Sequence, residues 1–534
     1  MRMDQGFCGG ARRRFLQQWL AGGLMLPGAA VASGSAKQAL PGLFSVRDFG
    51  ATGGGRQPDT KALQAAIDAC ATAGGGVVYL PPGKYLCGTI FLKSNISLVL
   101  ETAAVLLGSA NPSDYPPVQP GLRSYTDVYV HQSLLYGENL DRVAILGHGT
   151  IDGQGAQFPG PYRTRPYIIR MVNCTNVEVA GIHLKDSPMW VQHYLACSDV
   201  HLYGLTVRSV CNANNDGIDI DACERVLISD CNIVSGDDSI VLKSTTNRYC
   251  RDVTVSNCVL SSRCNAFKVG TESAGGFQNI TFSNCTVYET GLSGIALETV
   301  DGAILEKVNV SGVTMRNVKS AIFLRLGNRA RPVYEGAPQP GIGALRNVVI
   351  TNVQVDGADK VGCAIAGLPG HPIENVALQD IRIGFSGGGT KQDAIREVPE
   401  AEAAYPEYNM FGTLPGFGFY CRHVRGLRFD RAQVSRESPD DRPALVCDDV
   451  DGLTASGFES PNSDPLLVLR NTRRALLFAN RAPEGNRIYV RAEGSDTRNI
   501  QLAANDLVGC EVPVERGPGV SRDAVLVSAL PVAP

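Results

Sequence analysis

Two short runs concentrate carboxylates: Asp216, Asp219 and Asp221 after Asn214 and Asn215, and Asp237 with Asp238. Crowded carboxyl groups cannot all ionise easily, so one keeps its proton while its neighbours stay charged. That supplies an acid and a base from one residue type. Cleavage of a glycosidic bond needs both: a proton for the leaving oxygen and a base for the attacking group or water. Taken singly, Asp-Asp and Asn-Asp-Gly are also turn formers, and grouped carboxylate and carbonyl oxygens also suit calcium. The choice between these readings depends on the elements that carry the two runs.

Those elements are short strands in a repeat. Apolar residues alternate, are broken by two small or polar residues, then alternate again in Val226–Ile233, Val253–Leu260, Ile280–Val287 and Val308–Met315. The same start recurs at Val177, Val200, Val348, Val376, Leu427 and Leu453. Intervals from Val177 are 23, 26, 27, 27 and 28 residues, then stretch to 40 before Val348 and 51 before Leu427. A unit of about 25 residues with several strands and no helix predicts one rung of a parallel β-solenoid. Leucine-rich repeats and propeller blades lack their signatures here.

Counting within the repeat gathers the chemistry. Asp216, Lys243 and Glu298 each lie ten residues before a repeat start, and Asp238 and Asn265 twelve residues after one. Equal offsets in stacked rungs predict that Asp216, Asp237, Asp238, Lys243, Asn265 and Glu298 line one groove. Matching offsets in adjacent rungs favour glycoside hydrolysis over isolated turns.

The rest of the chain is read around this solenoid. Its 534 residues carry a net charge of −3, which argues against a nucleic-acid partner. Arg12, Arg13, Arg14, Phe15 and Leu16 precede a modest apolar run ending in small residues, so residues 1–36 read as an export signal of twin-arginine form. No stretch is long enough for a membrane span. Residues 37–462 read as the catalytic β-helix and 463–534 as degenerate strands continuing or capping it. Phe44–Ala51 reads as a strand, and Asp59 as the N-cap of a helix from about Thr60 to Ala73 with Leu63, Ala66, Ile67 and Cys70 on one face. Of the 16 cysteines, Cys231, Cys258 and Cys285 share one repeat position and Cys223 and Cys250 another. They read as free thiols stacked in the core, with no zinc spacing.

Further segments carry a resemblance. Asp48–Ala51, Gly74–Leu80 and Pro82–Tyr85 open the chain; Ser187, Pro188, Trp190 and His193 form a Ser-Pro-x-Trp-x-x-His pattern. Asn214–Asp216 and Gly236–Asp238 match Asn-Thr-Asp and Gly-Asp-Asp motifs, and Tyr405–Pro415 is a further shared segment. Over roughly residues 44–460 the chain resembles glycoside hydrolase family 28, the polygalacturonase-like pectin hydrolases. The resemblance implies an all-β, right-handed single-stranded parallel β-helix of the pectin-lyase-like kind with a short N-terminal capping helix. It implies an inverting hydrolase with Asp237 as general acid and Asp216 and Asp238 activating water. Inversion calls for carboxyls roughly 6.5–9.5 Å apart, a gap that rungs about 4.8 Å apart can span.

The chain departs from the family pattern twice. Asn265 stands where the family has a histidine, and Ala296 and Glu298 stand where an Arg-x-Lys pair holds a galacturonate carboxylate. A glutamate there repels such a group. Lys268, Arg325, Arg329 and Arg331 offer a displaced cationic patch or a solvated basic loop. His193 and Asn214 are further candidate substrate contacts. The expectation is a monomeric, exported hydrolase of a pectin-type polysaccharide, needing no cofactor or metal. Its rivals are a β-helical lyase and a non-catalytic glycan-binding solenoid.

Overall fold

The computed structural model describes residues 42–528, so the export signal lies outside the described residues. The chain winds into a right-handed parallel β-helix. Most turns contribute three short strands, each hydrogen-bonded in parallel to its equivalent in the next turn. One turn holds Glu224–Ser229, Asn232–Ser235 and Ile240–Ser244; the next holds Cys250–Ser256, Val259–Ser262 and Phe267–Ser273. Three sheets result, and the third, containing Ile240–Ser244 and Phe267–Ser273, carries the candidate site.

The repeat starts stack in one register. Val177, Val200, Val226, Val253, Ile280, Val308, Val348, Val376, Leu427 and Leu453 pair each with the next. The long intervals therefore hold loops, not slips of register. The polar break inside the repeat has a backbone cause. Asp230, Asn257 and Asn284 take φ of 57°, 56° and 54° at the corner between the first two sheets. Left-handed backbone penalises most side chains but tolerates Asn and Asp, and Gly312 takes the equivalent place with φ 64°. The residues after the first three corners, Cys231, Cys258 and Cys285, are buried in the core. A second column is longer than the repeat suggested: the amides of Cys174 and Cys197 donate to Sγ of Cys197 and Cys223 at 3.5 and 3.3 Å. Every cysteine of the described residues is free.

The helix Thr60–Thr72 packs Leu63, Ala66, Ile67 and Cys70 into the core at the N-terminal end of the solenoid. Two local expectations fail there. The strand expected over Phe44–Ala51 is only Leu43–Ser45, followed by a 3-10 turn at Val46–Phe49. Asp59 stands at the N-cap, but its side chain does not cap the helix. Its carboxylate instead accepts from Thr52 N, Thr52 Oγ1 and Gly53 N at 2.7, 3.1 and 3.0 Å, because that tight turn offers three donors together. Beyond Ser463 parallel pairing continues to Val525–Ser528, which lies against Arg498–Ala503. Among the described residues no helix is long and apolar enough to cross a membrane.

Candidate active site

Strands Ile218–Asp221, Ile240–Ser244 and Phe267–Ser273 lie side by side with the end of Thr286–Thr299. The turns leading into the first three carry Asp216, Asp237 with Asp238, and Asn265. Asn215 pins the first turn: it is fully buried, and its Nδ2 donates to the carbonyls of Ser187 and Met189 at 2.8 and 3.0 Å. One oxygen each of Asp216, Asp237 and Asp238 lie within 4.8 Å of one another. Asp237 and Asp238 are consecutive in one turn, and Asp216 comes from the turn before.

Two lysines anchor the cluster from opposite sides. Lys243 Nζ lies 3.5 Å from Asp216 Oδ2, 3.4 Å from Asp219 Oδ1 and 3.5 Å from Glu272 Oε2. It also sits 4.4 Å from the Trp190 ring centre. Lys268 Nζ lies 2.9 Å from Glu407 Oε1, 3.6 Å from Asp238 Oδ2 and 3.8 Å from Glu298 Oε2. Asn265 donates through its backbone N and its Nδ2 to Asp238 Oδ1 at 3.0 and 2.9 Å, so the twelve-residue offset placed this pair correctly. The ten-residue offset misplaced Asp216. Lys243 pairs in register with Asp221, because the chain takes a longer turn between Lys243 and Val253 than between Asp221 and Val226.

The electrostatics separate the carboxyls. Burial, then the charge of Asp238, pushes Asp237 above the ordinary range, while Cys264, Lys268 and Lys243 pull it partway back. Burial, then Asp219 and Asp237, pushes Asp216 well above that range against Lys243. These groups interact strongly, so a proton is shared by the cluster rather than owned by one residue. Burial raises Glu272 too, but Lys243, Arg331 and Arg329 outweigh it and hold Glu272 well below the usual range. Asp216 Oδ1 and Glu298 Oε1 are buried with no hydrogen-bond partner.

Several expected substrate contacts are structural instead. His193 is fully buried and bonds Asp221 Oδ2 at 3.1 Å, inside the Trp190 and Tyr167 packing, so it does not reach the groove. Asn214 is engaged by Arg165 Nη2 at 3.0 Å. Arg325 is 1% exposed and donates to the carbonyls of Ala366, Gly367, Glu400 and Ala401, fastening the loop before Tyr405. Arg325→Met is therefore expected to cost about 2–3 kcal/mol of stability through unmet buried acceptors, measured by urea unfolding. Arg329 is committed to Asp301 and the Thr271 carbonyl, and Arg331 to Glu272 and Asp301. Asn265, Lys268 and Glu298 are also buried; Asn265 and Lys268 hold Asp238 and Glu407, and Glu298 lies beside Lys268.

Sequence reasoning missed Glu272, Asp301 and Glu407, and left Asp219 out of the groove although it lies in the first carboxylate run. Glu407 and Tyr405 arrive on a loop from a later turn, within the Tyr405–Pro415 segment already singled out. Tyr405 is 55% exposed, with Lys268 Nζ at 5.4 Å and the Arg329 guanidinium at 5.6 Å from its ring centre. Arg331 stacks at 3.8 Å over Tyr125. Tyr125, Arg331, Arg329 and Tyr405 thus form one rim built from three loops.

A parallel β-helix with carboxyls gathered on adjacent turns beneath an aromatic rim suits the chemistry of a glycosidase. A family model described as glycosyl hydrolases family 28 matches residues 109–404, and one described as rhamnogalacturonase A/epimerase, pectate lyase-like, matches residues 43–111. A probable polygalacturonase of Vitis vinifera is 31% identical over 369 residues, 64% of this chain and 74% of that one. An exopolygalacturonase of Platanus acerifolia is 26% identical over 372 residues, 65% of this chain and 91% of that one. Among solved structures, an exopolygalacturonase from Thermotoga maritima superposes with TM-score 0.57 at 24% identity, covering 65% of this chain and 88% of that one. A family 28 exopolygalacturonase of Yersinia enterocolitica gives TM-score 0.59 at 19% identity, covering 82% and 78%. The chain belongs to glycosyl hydrolase family 28 and is a glycosidase.

Proposed function

We propose that this glycosidase hydrolyses a pectin-type polysaccharide by a single displacement, with inversion at the anomeric carbon. The observation that carries the reading is the meeting of Asp216, Asp237 and Asp238 within 4.8 Å. Asp237 is the least buried of the three, and the family resemblance gives it the acid's part. It serves as the acid that protonates the leaving oxygen. Asp238, oriented by Asn265, and Asp216 act together on the water. Inversion comes from the family resemblance and not from the spacing.

A lyase needs a basic side chain free to take a proton. Lys243 and Lys268 are each bound among three carboxylates, which disfavours that rival. The paired arginines near the N-terminus support export by the twin-arginine route.

The test is a screen over defined pectin fragments with reducing-end detection, followed by NMR of the first product anomer. Cleavage with an inverted anomer is expected; a retained configuration sinks the single displacement. Products carrying an unsaturated, ultraviolet-absorbing ring make the protein a lyase.

A further inference from the structure

Carboxyl groups outnumber cations around the catalytic site. Eight carboxyl groups, Asp216, Asp219, Asp237, Asp238, Glu272, Glu298, Asp301 and Glu407, face four cations, Lys243, Lys268, Arg329 and Arg331. Each of the four cations is already paired. A substrate carboxylate that reaches any of these four displaces an existing partner to gain it.

The imbalance is greatest beside Asp238. Lys268 is 2% exposed and lies among Asp238, Glu298 and Glu407. Glu407 covers it from the loop side and is the more exposed of the two, with a side-chain exposure of 16%. Asn265 Nδ2, the other nearby donor, already serves Asp238 Oδ1 at 2.9 Å and both oxygens of Glu407 at 3.3 Å. Glu298 Oε1 is fully buried without a partner. What this wall offers a ligand is hydrogen-bond acceptors and the half-exposed face of Tyr405. Sugar hydroxyls donate to such acceptors, and sugar C–H faces stack on such rings; a carboxylate does neither.

We infer that the sugar seated against Glu407 and Lys268, beside the catalytic carboxylates, is a neutral glycosyl unit, and that Glu407 is the residue that rejects a uronate there. The inference rests on the hydrolase reading and narrows its substrate. Like charges placed together reject the wrong ligand even where the right one gains little, which is how a specificity difference arises.

The experiment offers the full-length protein a mixed set of galacturonan, rhamnogalacturonan, galactan, arabinan and chitosan oligosaccharides. Products of the wild type are sequenced by mass spectrometry. Binding of the Asp237→Asn variant to the same set is read by saturation-transfer NMR. The expected result is at least tenfold preference, in cleavage and in binding, for oligosaccharides presenting a neutral sugar at the cleaved bond over trigalacturonate. In Glu407→Gln the ratio of kcat/KM between the two classes narrows several-fold, a ratio that a mere loss of folded protein leaves unchanged. Trigalacturonate bound or cleaved as well as the neutral set overturns the inference. So does preference for the cationic chitosan oligomers, or binding of none of the set. Binding of neutral oligomers without cleavage by the wild type sinks the hydrolase reading and leaves the inferred specificity standing.

Discussion

Replacing Asp237 by Asn is expected to lower kcat by about 10²–10⁴-fold, the usual worth of a positioned general acid, while the melting temperature at neutral pH is held or raised. The two halves of this result have one cause. Asp237 sits where burial and Asp238 disfavour its charge, so its folded pKa lies above the unfolded value. Such a group stabilises the fold below the unfolded pKa and loses that contribution as pH rises through the folded value. Asparagine never ionises and escapes that loss. It also keeps a local contact, because its carbonyl oxygen can accept from the Asp238 backbone N as Asp237 Oδ1 does at 3.0 Å. What it cannot do is donate a proton to a leaving oxygen. Steady-state kinetics beside a thermal melt checks both halves. A variant that stays active shows that another group holds the proton; one that loses activity and stability together shows that Asp237 is structural.

How far the sequence foretold this site depends on the kind of spacing involved. Strand positions follow the pleat and the stacking of turns, so Val177 through Leu453 could be aligned by counting. Asp238 and Asn265 fell together for the same reason: two turns of equal length separate them from their strands. Counting fails where turns differ in length, as between Lys243 and Val253, which put Lys243 above Asp221 and not beside Asp216's position. It also fails for loops that leave the solenoid and return. Glu407 reaches Lys268 from 139 residues away, and no periodicity predicts that. His193 and Arg325 illustrate a third limit. Their types suited a polysaccharide groove, but whether a side chain on this sheet faces solvent or lies beneath a covering loop is decided by packing that the repeat does not encode.

Lys243 gives the largest expected stability effect. Lys243→Met is expected to cost about 3–5 kcal/mol near neutral pH, the range for breaking a buried ion pair by removing one partner. Methionine keeps much of the apolar stem that packs by Trp190, but it leaves Asp216 and Asp219 without their cation and Glu272 with Arg331 alone. The deficit has a defined pH window. Burial opposes the charge on Lys243, yet Glu272, Asp216 and Asp219 outweigh it and hold its folded pKa above the unfolded one. Its contribution is therefore complete below about pH 10.4, the unperturbed lysine value, and is lost as pH rises through the folded value. Glu272 is depressed, so its share is present above about pH 4.3 and lost as pH falls through its folded value. Between those limits the variant is at its weakest relative to wild type. In acid the abandoned carboxyls protonate, the uncompensated charge disappears, and the gap narrows. Urea unfolding of both proteins near neutral pH and again in acid measures it. A gap that is absent near neutrality, or that widens in acid, means that Lys243 does not neutralise this cluster.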